Sequence, residues 1–447
     1  MERSNKIHMA NNHILFRIFL YLFLSVIYFA FMAKASNLGI DWLDFHKNWT
    51  LNSVNNIFKN FEGIKYGLTT RELIDISPQQ EFQRENFYIL PIYYYLHLGL
   101  FSLINGDKSI IFWGQLTDKI IILITSILTG EIALKLVNNR GELHKYIIGI
   151  SAFSFFLTSP WTYRMLVAPW QEVYFLCFFL LSLIFFGIKN MNIGILFYFL
   201  AGLCQYQWTF VLSLIYLFSF IIGKLFIRQK TIINLIPISI LEKKRFNLFI
   251  LTGVFPTLII FIQKILLNFN SGDITYGGSS LLYRIGINSY QNIHHSGWLG
   301  AIQFLGGNRI TNCLSNVDIN NILNNLIPKI SLFNCLISIV GMFVLSIASI
   351  IGYLSILNSN KSFQWILTPI FLSFFIFAMI LQQSFAVHLQ GYSFIFSFIF
   401  SIGLIYLIDK IVQKYFYNNI TDLFYIPFYF AIVFSSIRIS FLTGING

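Results

Sequence analysis

Residues 169–187 read PWQEVYFLCFFLLSLIFFG, a run in which Glu172 is the only charged side chain. As a helix, a run of this length is just long enough for the roughly 30 Å hydrocarbon layer of a bilayer. Similar apolar runs recur from one end of the chain to the other. They fall at 14–35, 111–137, 146–159, 191–206, 208–223, 247–267, 332–357, 363–382, 391–408 and 422–441. The composition agrees with that reading. Of 447 residues, 56% are hydrophobic and 11% charged, and Phe alone occurs 50 times. A soluble domain carries about 25% charged residues, and no water-facing fold could hide so much apolar surface. The expectation is an all-α, polytopic transmembrane helical bundle of about 11 spans, forming a single membrane domain over residues 1–447.

The net charge of +12 would suggest nucleic-acid binding in a soluble protein. Here the bases cluster in short segments between apolar runs, the pattern of cytoplasmic anchoring loops, so nucleic acid is not an expected partner. Arg3, Lys6 and Arg17 flank the first run, and Arg140 and Lys145 fill the turn after the second. Lys224, Arg228, Lys230, Lys243, Lys244 and Arg245 make 224–245 the most basic segment, and Lys361, Lys410 and Lys414 follow. Alternation from a cytoplasmic N-terminus puts every one of these on the inner side. The first run is read as an uncleaved helix, because many spans follow it. Two long loops then fall outside, at 36–110 and 268–331. The first contains Pro91–Ile104, an aromatic stretch too short to span and suited to the interface. The expected location is the plasma (inner) membrane, with any active site extracytoplasmic.

Candidate chemistry gathers on that outer side. Asp41 and Asp44 lie in GIDWLDFHKNW, directly after the first run, with His46 close by. A carboxylate at the membrane surface can take a proton from a hydroxyl acceptor. Trp42 and Phe45 would shield one of the two from water. Glu172 opens the fourth run, and an acid within an apolar span costs about 2.5–3.5 kcal/mol, so it needs a reason. Arg164, upstream in the same stretch, could pair with it. Asp118, Lys119 and Glu131 in the second run raise the same problem and are expected to form pairs within or between helices. Arg284, His295 and Arg309 in the second loop, and His388 near the ninth run, suit a lipid phosphate through charge-assisted hydrogen bonds. The four cysteines show no metal-ligand spacing.

The order of these features resembles the GT-C glycosyltransferases, polytopic enzymes that use a polyprenyl-phosphate sugar donor; protein O-mannosyltransferases and aminoarabinose transferases are examples. One helix is followed by a large outer loop with acids at its start, Asp41 and Asp44. That loop ends in a Pro-aromatic run, NFYILPIYYYLHLGLFSLINGDKS. A Ser-Pro turn with an Arg follows the third span (Ser159, Pro160, Arg164), and an acid, Glu172, opens the fourth. The resemblance covers roughly residues 1–225. The chain departs from the pattern in having Pro91 where members often have two prolines, and Glu where the second acid is often Asp. What the resemblance implies is inverting transfer from a polyprenyl-phosphate sugar lipid to a glycan, lipid or protein acceptor. Asp41 or Asp44 would activate the acceptor, and Glu172 is the third candidate catalytic acid. Arg164, Arg284, Arg309 or His295 would stabilise the departing phosphate. Some relatives use a divalent metal, which the acids and a nearby His could hold. The rival readings are an O-antigen-type polymerase or ligase, with its large loop late in the chain, and a transporter or flippase, which would show broken helices and inverted repeats.

Overall fold

The computed structural model describes residues 15–30, 44, 47–48, 50–51, 69–71, 85–87, 98, 107–136, 142–167, 169–188, 190–225, 236, 240–271, 326–359, 363–379 and 389–415. Eleven helices lie among them. They are α1 (Leu15–Ala30), α2 (Asp107–Leu136), α3 (Glu142–Thr158), α4 (Pro160–Val167), α5 (Glu172–Gly187), α6 (Met191–Cys204), α7 (Tyr206–Leu225), α8 (Lys243–Ser271), α9 (Leu326–Ser359), α10 (Gln364–Met379) and α11 (Leu389–Tyr415). In the first long loop, β1 (Thr69–Arg71) and β2 (Glu85–Phe87) pair antiparallel, with Thr70 opposite Asn86. The run expected at 422–441 lies outside the described residues. So does the stretch Pro91–Ile104, apart from a fully buried Leu98.

Among the described residues, two helices are long and apolar enough to cross a membrane, in the segments Tyr206–Leu225 and Phe394–Lys414. A third candidate is α4 and α5 together, a pair bent by 119° at the break between them. Other expected runs differ from these in length or charge. With 16 and 14 residues, α5 and α6 are only about 24 and 21 Å long at 1.5 Å per residue. α2 is long, but Asp118, Lys119, Glu131 and Lys135 interrupt its apolar sequence.

The packing makes α11 the central helix: 83% of its apolar window is buried, against 44% for α7. It crosses α9 through facing glycines, Gly352 and Gly403. Around it the outer helices keep one apolar face in and one out. On α8, Phe246, Phe249 and Gly253 point inward, while Leu248, Leu251, Phe255, Leu258 and Ile262 are exposed at alternating spacings of three and four. The same exposed stripe recurs on α1 (Phe16, Phe19, Phe23, Val26) and on α9 (Phe343, Ile347, Ile351, Leu354). Water would penalise such faces and lipid would not.

A start signal explains the unexpected helix α4. The Ser159-Pro160 pair reads as a turn, but Ser159 Oγ accepts a hydrogen bond from Thr162 N at 3.1 Å. That is N-capping, with Pro at the first helical position, where its missing N–H costs nothing. Pro169 then stands in the break before α5.

Candidate functional site

The bundle has two chemically different ends. At one end the polar groups are mutually satisfied. Arg17 of α1 donates to both carboxylate oxygens of Glu131 in α2, at 3.1 and 3.3 Å, and Tyr21 Oη reaches the same acid at 3.3 Å. The pairing expected for Glu131 is therefore found, between helices. The Arg17 guanidinium also lies over the Tyr146 ring, at the start of α3. Two residues earlier, His144 Nε2 sits 2.7 Å from Asp409 Oδ1 near the end of α11, and both side chains are buried. Gln413 donates to the other oxygen of Asp409. The segment 409–414, read from its charge as a turn, is instead the end of α11, because its apolar periodicity runs on through Lys410 and Lys414; these two and Lys145 in the first turn of α3 lie at this end of the fold.

At the opposite end the helices break. α3 gives way to α4 at Ser159, whose hydroxyl lies 2.9 Å from Ser397 Oγ of α11. The bend from α4 into α5 comes next, and α6 ends at Gln205 before α7 begins. Glu172, the first residue of α5, is 1% exposed. Its Oε1 accepts a hydrogen bond from Gln205 Nε2 at 2.8 Å. A second rung runs beside the first: the Phe175 ring, one turn on from Glu172, meets the indole of Trp208, three residues on from Gln205, with centroids 5.8 Å apart. Trp208 also packs on Phe377 of α10 at 4.3 Å and Tyr392 of α11 at 5.4 Å. On the other side of α5, Tyr174 Oη donates to the buried Asp118 at 2.6 Å.

Glu172 Oε2, Gln205 Oε1 and Trp208 Nε1 have no hydrogen-bond partner among the described residues, and all three are buried. Tyr28 Oη, near the end of α1, and Ser346 Oγ, midway along α9, likewise have no hydrogen-bond partner among the described residues. Buried polar groups are nearly always bonded, so a group of them at one place calls for a water or a ligand.

The other expected residues fare differently. Asp44 is exposed, with 92% of its side chain accessible, and pairs with Lys47 at 3.2 Å. The shielding expected from Trp42 and Phe45 is not found at this carboxylate. Arg164 lies in α4, but its side chain is not among those described, so the described partner of Glu172 is Gln205. Asp41, Arg284, His295, Arg309 and His388 lie outside the described residues. Among the described residues, no group of three or more His, Cys, Asp or Glu could hold a metal ion. Cys177 and Cys204 are both buried, and the Cys204 thiol donates to the Leu200 carbonyl. Gln205 and Trp208 escaped the sequence reading. They lie at the end of the run 191–206 and the start of the run 208–223, and nothing in the sequence marked Glu172 as their neighbour. Comparison of the sequence with protein-family models and with curated proteins finds no match.

Proposed function

We propose that the chain is a multi-pass membrane glycosyltransferase of GT-C type, working at the end of the bundle opposite its basic turns. The observation that carries this reading is Glu172, a buried acid with one oxygen unpartnered among the described residues, at the meeting point of two helix breaks. The same end of α1 leads into the loop that bears Asp41 and Asp44. The exposed apolar stripes on α1, α8 and α9 support a bundle of about eleven helices set in lipid, in the plasma membrane, with this end extracytoplasmic. Since α5 and α6 are shorter than the hydrocarbon layer, their shared end is recessed by several ångströms. A sugar joined by phosphate to a polyprenyl chain could reach that depth with its tail still in the bilayer.

In the proposed reaction an acceptor hydroxyl loses its proton to Asp41 or Asp44. Its oxygen attacks the anomeric carbon from the face opposite the phosphate. The bond from that carbon to the phosphate oxygen breaks, and its electron pair leaves with polyprenyl phosphate. Arg164, Arg284, Arg309, His295 and His388 are the cationic or hydrogen-bonding groups available to that phosphate. A divalent metal, if bound, would supply further charge stabilisation there. The acceptor is a glycan, lipid or protein.

The test is transfer by the purified protein in nanodiscs, using labelled sugars on polyprenyl phosphate. Asp41→Asn or Asp44→Asn is expected to cut transfer about a hundredfold or more, with thermal stability unchanged. No transfer or hydrolysis of any donor by the wild type, or two stable and fully active variants, would sink the proposal. One observation favours a transporter instead: the Pro169 break beside a buried acid is the kind of discontinuous helix on which transporters build sites. A transporter would move the lipid-linked sugar with its glycosidic bond intact, so analysis of products from sealed vesicles separates the two. An O-antigen-type polymerase or ligase would instead transfer a whole glycan.

A further inference from the structure

We infer that Glu172, Gln205 and Trp208 form a subsite for the hydroxyl groups of a neutral sugar ring. The inference rests on the glycosyltransferase reading and names what its buried end recognises. The Glu172–Gln205 hydrogen bond and the Phe175–Trp208 ring contact are neighbouring rungs, so they hold the three side chains in one patch. The N–H of Thr209 reaches the Gln205 carbonyl at 3.4 Å. Gln205 therefore leads directly into the first turn of α7, where residues three apart share a face.

The unfilled valences define the ligand. Glu172 Oε2 and Gln205 Oε1 offer acceptor positions, and Trp208 Nε1 offers a donor. A hydroxyl both donates and accepts, and two adjacent ring hydroxyls can give protons to the two oxygens while accepting from the indole. A phosphate fits badly, because two of the three groups would present oxygen to oxygen. A simple cation fits badly too, because the indole N–H would face it. The patch therefore reads the sugar and leaves the phosphate to the basic residues. Its location at two helix breaks, between α4 and α5 and between α6 and α7, gives a buried patch a place to open. The indole is held by Phe377 and Tyr392, which fixes the direction of its N–H.

The experiment is equilibrium binding to the full-length protein in nanodiscs. The probes are farnesyl phosphate and its glucosyl, mannosyl and galactosyl phosphodiesters. Wild type should bind at least one sugar-bearing probe about tenfold or more tighter than farnesyl phosphate, because a site built for hydroxyls penalises a ligand that lacks them. Trp208→Phe keeps the ring and deletes the donor, and Gln205→Met keeps most of the volume. Both should lower that ratio to about threefold or less, with farnesyl phosphate bound as in wild type. Variants that keep the ratio would overturn the subsite and leave the donor reading standing. So would a wild type that binds all four probes equally, or variants that lose every probe in proportion, as a folding defect would. A wild type that binds none of the probes would overturn the donor reading itself, and the subsite with it.

Discussion

Glu172 and Asp409 are both buried acids, and the bundle treats them in opposite ways. Asp409 has His144 on one oxygen and Gln413 on the other, so its role is to join α3 to α11. Glu172 has Gln205 on one oxygen, and the other has no partner among the described residues. A satisfied buried pair is expensive to break, because the surviving member stays in a dry place with a bond missing. His144→Ala and Asp409→Ala should each cost about 3 kcal/mol of stability, and the double variant should cost less than their sum. Thermal unfolding in detergent measures this; single-variant costs within about 0.5 kcal/mol would show that the pair contributes nothing. Individual residues were only partly legible in the sequence. Glu172 stood out because a charge in an apolar run is conspicuous. Its partner did not, because Gln205 is an uncharged polar residue near the end of the run 191–206 and the contact joins residues far apart in the sequence. Asp44 shows the opposite failing: aromatic neighbours in sequence implied shelter, but its carboxylate is exposed beside Lys47.

Helices in lipid gain little from hydrophobic attraction to one another, so close backbone approach matters more. The crossing of α9 and α11 depends on it. A Cβ added at Gly352 would lie 1.9 Å from the carbonyl oxygen of Gly403, and one added at Gly403 would lie 2.0 Å from that of Ser349. Neither backbone can yield unless the helices part. Gly352→Ala should therefore destabilise by about 2–3 kcal/mol. Gly187→Ala, at the exposed end of α5 with nothing within 4 Å of the new methyl, should change stability by less than about 0.5 kcal/mol. Equal midpoints for the two variants would refute the close crossing. Because α11 also carries Ser397 and Tyr392 to the candidate site, Gly352→Ala should disturb that end as well. Most helices could be read from the apolar runs, since length and hydrophobicity alone mark them. α4 could not, because Ser-Pro signals a turn as readily as a helix start, and its eight residues are too few for periodicity to show. The β1–β2 pair was hidden for a related reason: three-residue strands leave no alternation to detect.

For the molecule as a whole, charge and packing give two independent divisions of the bundle, and they coincide. The positive-inside pattern sorts turns by their Lys and Arg content without reference to any contact. The contacts sort helix ends by which residues touch. Arg17, Glu131, His144, Tyr146 and Asp409 meet at one end, and Ser159, Glu172, Gln205, Trp208, Phe377 and Tyr392 gather at the other. Among the described residues, Lys145, Lys410 and Lys414 fall at the first end, and the unpartnered atoms of Glu172, Gln205 and Trp208 at the second. If the bundle sits in a membrane as proposed, the turn between α5 and α6 belongs with the basic end and faces the cytoplasm, while the segment after α1 faces out. Asn190 and Asn48 are exposed and report on these two places. In a background with the native cysteines replaced, Asn48→Cys should react with a membrane-impermeant maleimide on intact cells. Asn190→Cys should react only after the membrane is permeabilised. The reverse pattern would turn the bundle over, place Glu172, Gln205 and Trp208 on the cytoplasmic side, and remove the reason for assigning them to a sugar presented from outside.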